Sequence, residues 1–242
     1  LPNISVKLEI NDDLVARVAA SQTITRPTLD SMSPVTVIGT TRQGGNLTSS
    51  SGNPELEPFT SDNLDFSLEW YYGDASYLSA GYFRKNVANF IINSTEELTF
   101  ENANGELLTD PSTGNDVDNP DSADGVAVFT NTLPNNSESA IVDGWEVAVQ
   151  HTFDSGFGLM VNATLVDSDA ELDPADISQV FALTGLSDSY NVVGFYENGP
   201  FQARLAYNWR DSFVQSLTQS NGDGVTIVES YAQVDASGSY DI

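Results

Sequence analysis

The sequence predicts an all-β chain: an antiparallel transmembrane β-barrel segment of about nine strands from a larger barrel, with long acidic extracellular loops and short periplasmic turns. Three observations predict it. Apolar residues recur with a period of two, the connections alternate between short and long, and aromatic residues gather near strand ends.

Strands are expected at roughly 2–10, 13–22, 60–72, 76–90, 140–153, 157–167, 189–197, 201–210 and 229–240. Between Leu64 and Tyr71, Leu64, Phe66, Leu68 and Trp70 share one face, and Asp65, Ser67, Glu69 and Tyr71 the other. From Phe201 to Arg210, Phe201, Ala203, Leu205, Tyr207 and Trp209 oppose Gln202, Arg204, Ala206, Asn208 and Arg210. About ten residues is what a tilted strand needs to cross a bilayer. Ala232, Val234, Ala236, Gly238 and Tyr240 repeat the pattern against Gln233, Asp235, Ser237 and Ser239. Helical periodicity is confined to Asp173–Leu183, where Pro174 stands near the start of a short expected helix.

The short connections are Asn11-Asp12, Gly73-Asp74-Ala75, Asp154-Ser155-Gly156 and Glu197-Asn198-Gly199-Pro200, all turn-forming residues. The long ones are about 23–59, 91–139, 168–188 and 211–228. Outer-membrane barrels place short turns in the periplasm and long loops outside. A soluble β-sandwich or adhesin-like domain also shows alternating strands and acidic loops. Regular alternation of connection length and rings at strand ends, such as Trp70, Tyr71 and Tyr72 or Tyr207 and Trp209, favour the membrane barrel.

Composition narrows the chemistry. Hydrophobic residues make up 40 % of the 242, too many for a disordered acidic chain, although the formal net charge is -27. Eight Lys and Arg against 35 Asp and Glu exclude a basic nucleic-acid footprint. There is no cysteine and one histidine, His151, so thiolate sites, histidine clusters and a cysteine nucleophile are excluded. No serine sits in a nucleophile elbow, and no P-loop or dinucleotide fingerprint is present. No run of apolar residues is long enough for a transmembrane helix. Leu1-Pro2-Asn3 does not open a signal peptide, so the native N-terminus is expected upstream.

Several segments carry a family resemblance. They are Ala20-Ser21-Gln22-Thr23-Ile24-Thr25-Arg26-Pro27, Gly52-Asn53-Pro54-Glu55-Leu56-Glu57-Pro58, Gly81-Tyr82-Phe83-Arg84-Lys85 with Phe90-Ile91, and Gly144-Trp145-Glu146-Val147-Ala148-Val149-Gln150. Ser189–Glu197, Ala203–Arg210 and Gln233–Tyr240 complete the series. In this order they resemble the C-terminal part of the barrel of TonB-dependent outer-membrane receptors. The resemblance covers the strands and leaves the loop interiors unmatched. It implies a monomeric barrel of about twenty-two strands, an N-terminal plug and a TonB box that meets the TonB complex. These residues show neither plug nor TonB box, so the chain is expected to be a fragment, residues 1–242 of a partial barrel domain, lacking the plug, the upstream strands and a terminal hairpin. An odd strand number agrees with that.

The resemblance also implies active uptake of a scarce nutrient, a carbohydrate or a metal chelate, in the outer membrane, with lipid and lipopolysaccharide as neighbours. A passive porin-like channel and a soluble β-rich adhesin stay open as alternatives. A strongly negative mouth suits neutral sugars or cations better than an anionic ferric chelate. Phe100, Phe129 and Phe181 are candidate sugar-stacking rings.

On the barrel reading, Phe201, Leu205, Tyr207 and Trp209 face lipid, and Gln202, Arg204, Asn208 and Arg210 face the lumen. Asp65, Glu69, Glu146, Gln150, Gln233 and Asp235 are also expected in the lumen, with Arg204 or plug charges as partners. Adjacent Arg84 and Lys85 are expected to divide into a luminal ion pair and a lysine snorkelling at the interface. His151 is expected at the interface, and Met32 and Met160 in packing. Acidic loop residues (Asp110, Asp116, Asp118, Asp121 and Asp124; Asp167, Asp169, Glu171, Asp173 and Asp176; Asn221-Gly222-Asp223-Gly224) lack the EF-hand spacing. They read as solvated loops or as weak divalent bridges to lipopolysaccharide. No catalytic, cofactor-binding or metal-binding residue is assigned, and no cofactor or nucleic-acid partner is expected.

Overall fold

The computed structural model describes residues 1–39, 47–109, 126–172, 182–216 and 225–241. Among them there is no helix. The strands are β1 (Asn3–Glu9), β2 (Leu14–Thr25), β3 (Thr36–Ile38), β4 (Thr48–Ser51), β5 (Phe59–Gly73), β6 (Ser76–Leu98) and β7 (Phe129–Thr152). They continue with β8 (Phe157–Ser168), β9 (Ser189–Asn198), β10 (Phe201–Arg210), β11 (Phe213–Ser216), β12 (Thr226–Val228) and β13 (Tyr231–Tyr240). The long strands lie side by side in chain order, β1-β2-β5-β6-β7-β8-β9-β10-β13. β3 pairs with β4, β4 runs parallel to β7, and β11 and β12 form a separate pair.

The nine long strands are the nine expected from the pattern. The regions expected as loops hold more structure. β6 runs on to Leu98, β7 begins at Phe129, and β3, β4, β11 and β12 are short strands. The extensions, such as Asn93-Ser94-Thr95-Glu96-Glu97, are polar at successive positions, so no alternation marks them. The short strands are too brief to show a period at all. The helix expected at Asp173–Leu183 falls outside the described residues, apart from Ala182 and Leu183, which are not helical.

The chain divides into two compact units. The first comprises Leu1–Ile24, Thr60–Ala88 and Ser139–Ile242. Its ladders are antiparallel, and their registers align an apolar face from strand to strand. Val6 lies opposite Val18, Phe66 opposite Tyr82, Trp145 opposite Leu165 and Leu205 opposite Ala236. A one-residue slip would reverse every face, so the pattern fixes the register. The turns are built locally. Asn11 accepts the Asp13 N–H on its own side chain at 2.9 Å. Gly156, at φ +86°, lets the Phe153–Phe157 hairpin close, and a Cβ there would meet the backbone oxygen of Glu197.

The apolar face of this unit is open. Phe66, Trp70, Trp145, Phe157, Leu205 and Val234 are all exposed, Leu205 at 57 % and Val234 at 63 %. A soluble β-sandwich would cover that face with a second sheet; among the described residues none does. So large a continuous apolar surface is unusual for a soluble monomer, and aromatic rings border it at both ends. Trp70–Tyr72, Tyr72–His151, Phe157–Tyr196 and Phe201–Tyr240 ring pairs edge it at the short-turn end. Tyr82–Trp145 and Tyr190–Trp209 edge it at the other. From Phe201 to Trp209 is about 26 Å along the strand at roughly 3.3 Å per residue, enough for a tilted strand to span the apolar band.

The second unit comprises Thr25–Phe59 and Asn89–Glu138. Its centre is polar. Asn131, with no exposed surface, accepts the Ser49 hydroxyl at 2.9 Å and donates to Ser51 Oγ at 2.9 Å and Glu96 Oε1 at 3.2 Å. The Gly52–Pro58 segment is held by Asn53, whose side chain donates to the Pro134 carbonyl at 3.2 Å and accepts the Glu55 N–H at 2.9 Å. Leu56 is buried behind it. Asn136 donates to the Glu57 and Asn89 carbonyls at 3.1 and 3.0 Å. Asn89 itself sits at φ 62°, a left-handed conformation that asparagine tolerates.

Candidate functional site

The polar face of the first unit is the surface a luminal solute would meet. It is assembled by register, row by row. Asn162 of β8 lies opposite Asn191 of β9, Asn191 opposite Asn208 of β10, and Asn208 opposite Gln233 of β13. Four carboxamides thus form one line across four strands, about 14 Å long at the usual strand spacing. Asn191 donates to Asn208, Asn208 to Asp235 at 3.4 Å, and Gln233 to the other Asp235 oxygen at 3.0 Å. Each carboxamide has two donor hydrogens and an acceptor oxygen, so the line keeps spare capacity facing outward.

Below that line the face turns apolar for one row. Val193, 1 % exposed, lies opposite Met160 and Ala206. The Phe195 ring covers Gly158, where a Cβ would overlap it, and the Phe83 ring lies over Gly144 in the same way. Aromatic rings laid over glycines protect backbone that has no side chain of its own. Arg204 lies opposite Phe195 and Ser237 and borders an open depression of about 440 Å³ with Glu197 and Gln202.

A second group lies across β1, β2 and β5. Arg17 donates to Glu69 through Nε at 2.8 Å and Nη2 at 3.2 Å, and the Tyr71 hydroxyl donates to Glu69 at 2.9 Å. Lys7, directly opposite Arg17, pairs with Glu9 at 2.7 Å.

Asp65, Glu69, Glu146, Gln150, Gln233 and Asp235 all fall on this polar face, as the alternation requires. Of their two expected partners, Arg204 does not take that part among the described residues. Glu69 takes Arg17, which the pattern did not single out, and Arg204 has no ion pair among the described residues. Arg210 is spent on a loop: it donates to Ser187 Oγ at 2.8 Å and the Gly185 carbonyl at 2.6 Å, with its guanidinium 3.9 Å from the Phe213 ring. Arg84 and Lys85 are reversed relative to expectation. Arg84 lies opposite Leu64 on the apolar face, and Lys85 lies opposite Asn63 on the polar one, 5.6 Å from the Phe83 ring. Alternation alone separates two neighbours but does not say which goes where; the register with β5 does.

His151 is on the apolar face, stacked on Tyr72 with Nδ1 3.1 Å from its hydroxyl. Phe129 is buried against Phe100, centroids 5.1 Å apart, and so is not free to stack on a sugar; Phe181 lies outside the described residues. Asp110, Asp116, Asp118, Asp121, Asp124, Asp173, Asp176 and Asn221–Gly224 also lie outside them. Within them, Asp169 accepts the Ile141 N–H at 2.7 Å, and no group of three or more acidic or histidine side chains is placed to hold a metal ion. The carboxylates of Asp167, Glu171, Asp188 and Asp211 border an open depression of about 380 Å³ with Phe213 and Leu186.

The model of a family described as TonB dependent receptor-like, beta-barrel, matches residues 1–242. No curated protein matches. Among solved structures, the siderophore receptor PirA from Acinetobacter baumannii is similar at TM-score 0.65 and 16 % identity, over 99 % of this chain and 34 % of its own. A variant of the ferric enterobactin receptor PfeA from Pseudomonas aeruginosa, in complex with enterobactin, gives TM-score 0.66 and 16 % identity over 99 % and 32 %. The copper transporter OprC gives 0.58 and 13 % over 99 % and 31 %. The chain thus spans about a third of the length of the structures it matches.

Proposed function

The chain belongs to the TonB-dependent receptor β-barrel family, one of outer-membrane transport receptors rather than enzymes, and on that premise we propose that the whole protein actively takes up a scarce nutrient, energised through TonB. In this reading the 242 residues supply part of the barrel wall and several external loops. The remaining strands, the plug and the TonB-contacting segment belong to other parts of the protein. The observation that carries the reading is the two-faced sheet: one face apolar and ringed by aromatics for lipid, the other lined with amides, carboxylates and arginines for an aqueous interior.

The proposed cargo is uncharged or cationic, an oligosaccharide in the first instance. A net charge of -27 disfavours an anionic ferric chelate at the mouth, and a line of neutral amides suits hydroxyl groups, which both donate and accept. A cationic metal complex is the second reading, favoured by the Asp167, Glu171, Asp188 and Asp211 carboxylates around the loop depression. The similar structures are named as siderophore receptors and a copper transporter, at 13–16 % identity.

The test is growth and uptake of a deletion strain on neutral oligosaccharides, ferric chelates and copper, with and without TonB. Loss of oligosaccharide uptake in both the deletion and the TonB-deficient strain is the expected result. Uptake that needs the receptor but not TonB would establish a passive channel instead. Unchanged uptake of every solute, with the protein normally expressed, would reject transport.

A further inference from the structure

β3 is the outer strand of a small sheet in the second unit. It pairs with β4, and β4 in turn runs parallel to β7. Among the described residues, the far side of β3 pairs with nothing.

The register fixes which backbone groups are left over. The Gly39 N–H donates to the Thr48 carbonyl at 2.8 Å, so that pair and Val37–Ser50 are the hydrogen-bonded pairs of the ladder. The intervening residues, Thr36 and Ile38, therefore turn their N–H and C=O groups away from β4. All three residues of β3 are exposed, Val37 at 60 %, and Val35 just before them at 61 %. Proteins usually blunt such an edge with a charge, a proline or a bulge. Thr36-Val37-Ile38 carries none of these.

The edge is firmly held from behind. Asn131 ties β4 into the sheet through Ser49 and Ser51. The chain ahead of β3 is fixed at Gly52, where a Cβ would collide with the Ser33 backbone, and by the Asn53 N–H donating to the Ser31 carbonyl at 2.8 Å. A preformed edge loses little freedom when a strand is added to it.

Charge selects the occupant. Residues 25–59 and 89–138 carry thirteen acidic side chains against Arg26 and Arg42. One of the carboxylates, Glu96, accepts from Asn131 at 3.2 Å, within the same sheet as β3. Such a field repels a second copy of the chain and attracts a cationic segment. A three-residue edge also falls far short of the roughly 1,200–2,000 Å² that a stable interface between folded chains buries. A single extended segment needs only backbone partners and a few side-chain contacts.

We propose that the Thr36–Ile38 edge is a docking site for an extended, basic segment of another polypeptide, which joins the sheet as a further strand. The site does not depend on what the receptor transports.

The test uses the full-length receptor in detergent and a fluorescent synthetic peptide of alternating lysine and valine, with binding read as anisotropy. Saturable binding to the parent is expected. Thr36→Pro removes one outward N–H and leaves the Val37–Ser50 and Gly39–Thr48 bonds in place. It is expected to weaken binding roughly fivefold or more, the worth of one hydrogen bond. Ile38→Lys, which guards the edge with a charge, is expected to do the same and serves should the proline variant fail to fold. Leu29→Ala, at an exposed apolar residue outside the strand, is expected to match the parent. The peptide N-methylated at every second residue, and a peptide of alternating glutamate and valine, are expected to bind the parent no better than the lysine–valine peptide binds Thr36→Pro. Heat-modifiable migration and unchanged proteolytic cleavage within 25–59 show that each variant is folded. Absence of saturable binding to the parent would overturn the proposal. So would undiminished binding by a folded Thr36→Pro or Ile38→Lys variant, equal loss with Leu29→Ala, or equal affinity for either control peptide. Receptor dimers that Thr36→Pro dissociates would assign the edge to a second copy, and overturn it too.

Discussion

Arg17 and Glu69 meet in a two-pronged ion pair, Nε to Oε1 at 2.8 Å and Nη2 to Oε2 at 3.2 Å, between β2 and β5. The pair does more than join two strands. Lys7 lies directly opposite Arg17, so Glu69 on one side and Glu9 on the other offset two adjacent like charges. The two partners are therefore not equivalent. Glu69→Ala leaves two cations face to face, whereas Arg17→Ala leaves Glu69 with the Tyr71 hydroxyl. Glu69→Ala is expected to lower the thermal unfolding midpoint of the full-length receptor more than Arg17→Ala. The double variant is expected to be no less stable than Glu69→Ala alone. Additive losses in scanning calorimetry would show that the pair is not coupled.

The apolar band sets a depth-dependent penalty. Leu205 lies midway between Phe201 and Trp209 on β10. Leu205→Arg is expected to destabilise by about 2–4 kcal/mol, and Phe201→Arg, at the rim, to carry a charge penalty of only about 0–1 kcal/mol. Gln202→Arg, on the polar face, should be tolerated. Equilibrium unfolding from lipid vesicles measures all three, and equal losses at Leu205 and Gln202 would contradict the face assignment.

Gly158 has no room for a methyl group because the Phe195 ring occupies that position. Gly158→Ala is expected to destabilise by about 1–3 kcal/mol, as overpacking does. Combining it with Phe195→Leu should recover part of the loss, since the smaller side chain can yield. Unfolding midpoints of the two single variants and the double variant test this coupling.

Asn131 is the polar centre of the second unit. Asn131→Leu strands the Ser49, Ser51 and Glu96 groups it satisfies, at about 1–3 kcal/mol for each that stays buried without a partner. The expected result is faster proteolytic cleavage within 25–59 or 89–138, with heat-modifiable migration of the receptor preserved. Unchanged cleavage would mean that the network contributes little.

What was legible in the sequence follows from lipid. Where one face must be apolar, alternation is strong, and Leu64–Tyr71 and Phe201–Arg210 disclosed both strand and face. Outside the apolar band that constraint lapses. Asn93–Glu97 and the β3–β4 pair are extended without alternating, so they read as loop. The same limit explains Asn131, Asn136 and Asn89, which hold the second unit together but look like ordinary loop polarity. The carboxamide line was equally hidden, because Asn162, Asn191, Asn208 and Gln233 converge only through register. Arg84 and Lys85 show the remaining gap: a neighbouring strand was needed to assign each to its face.

Every ladder between long strands joins two that follow one another in the series of long strands along the chain. Assembly can therefore proceed by successive accretion, each arriving strand templated by the one just placed, without long-range search. Doubling the length of a flexible connection adds only about 0.6 kcal/mol of closure entropy. Insertions outside the long ladders thus barely burden biogenesis, which leaves the connections free to diversify while the long strands stay bound to one register.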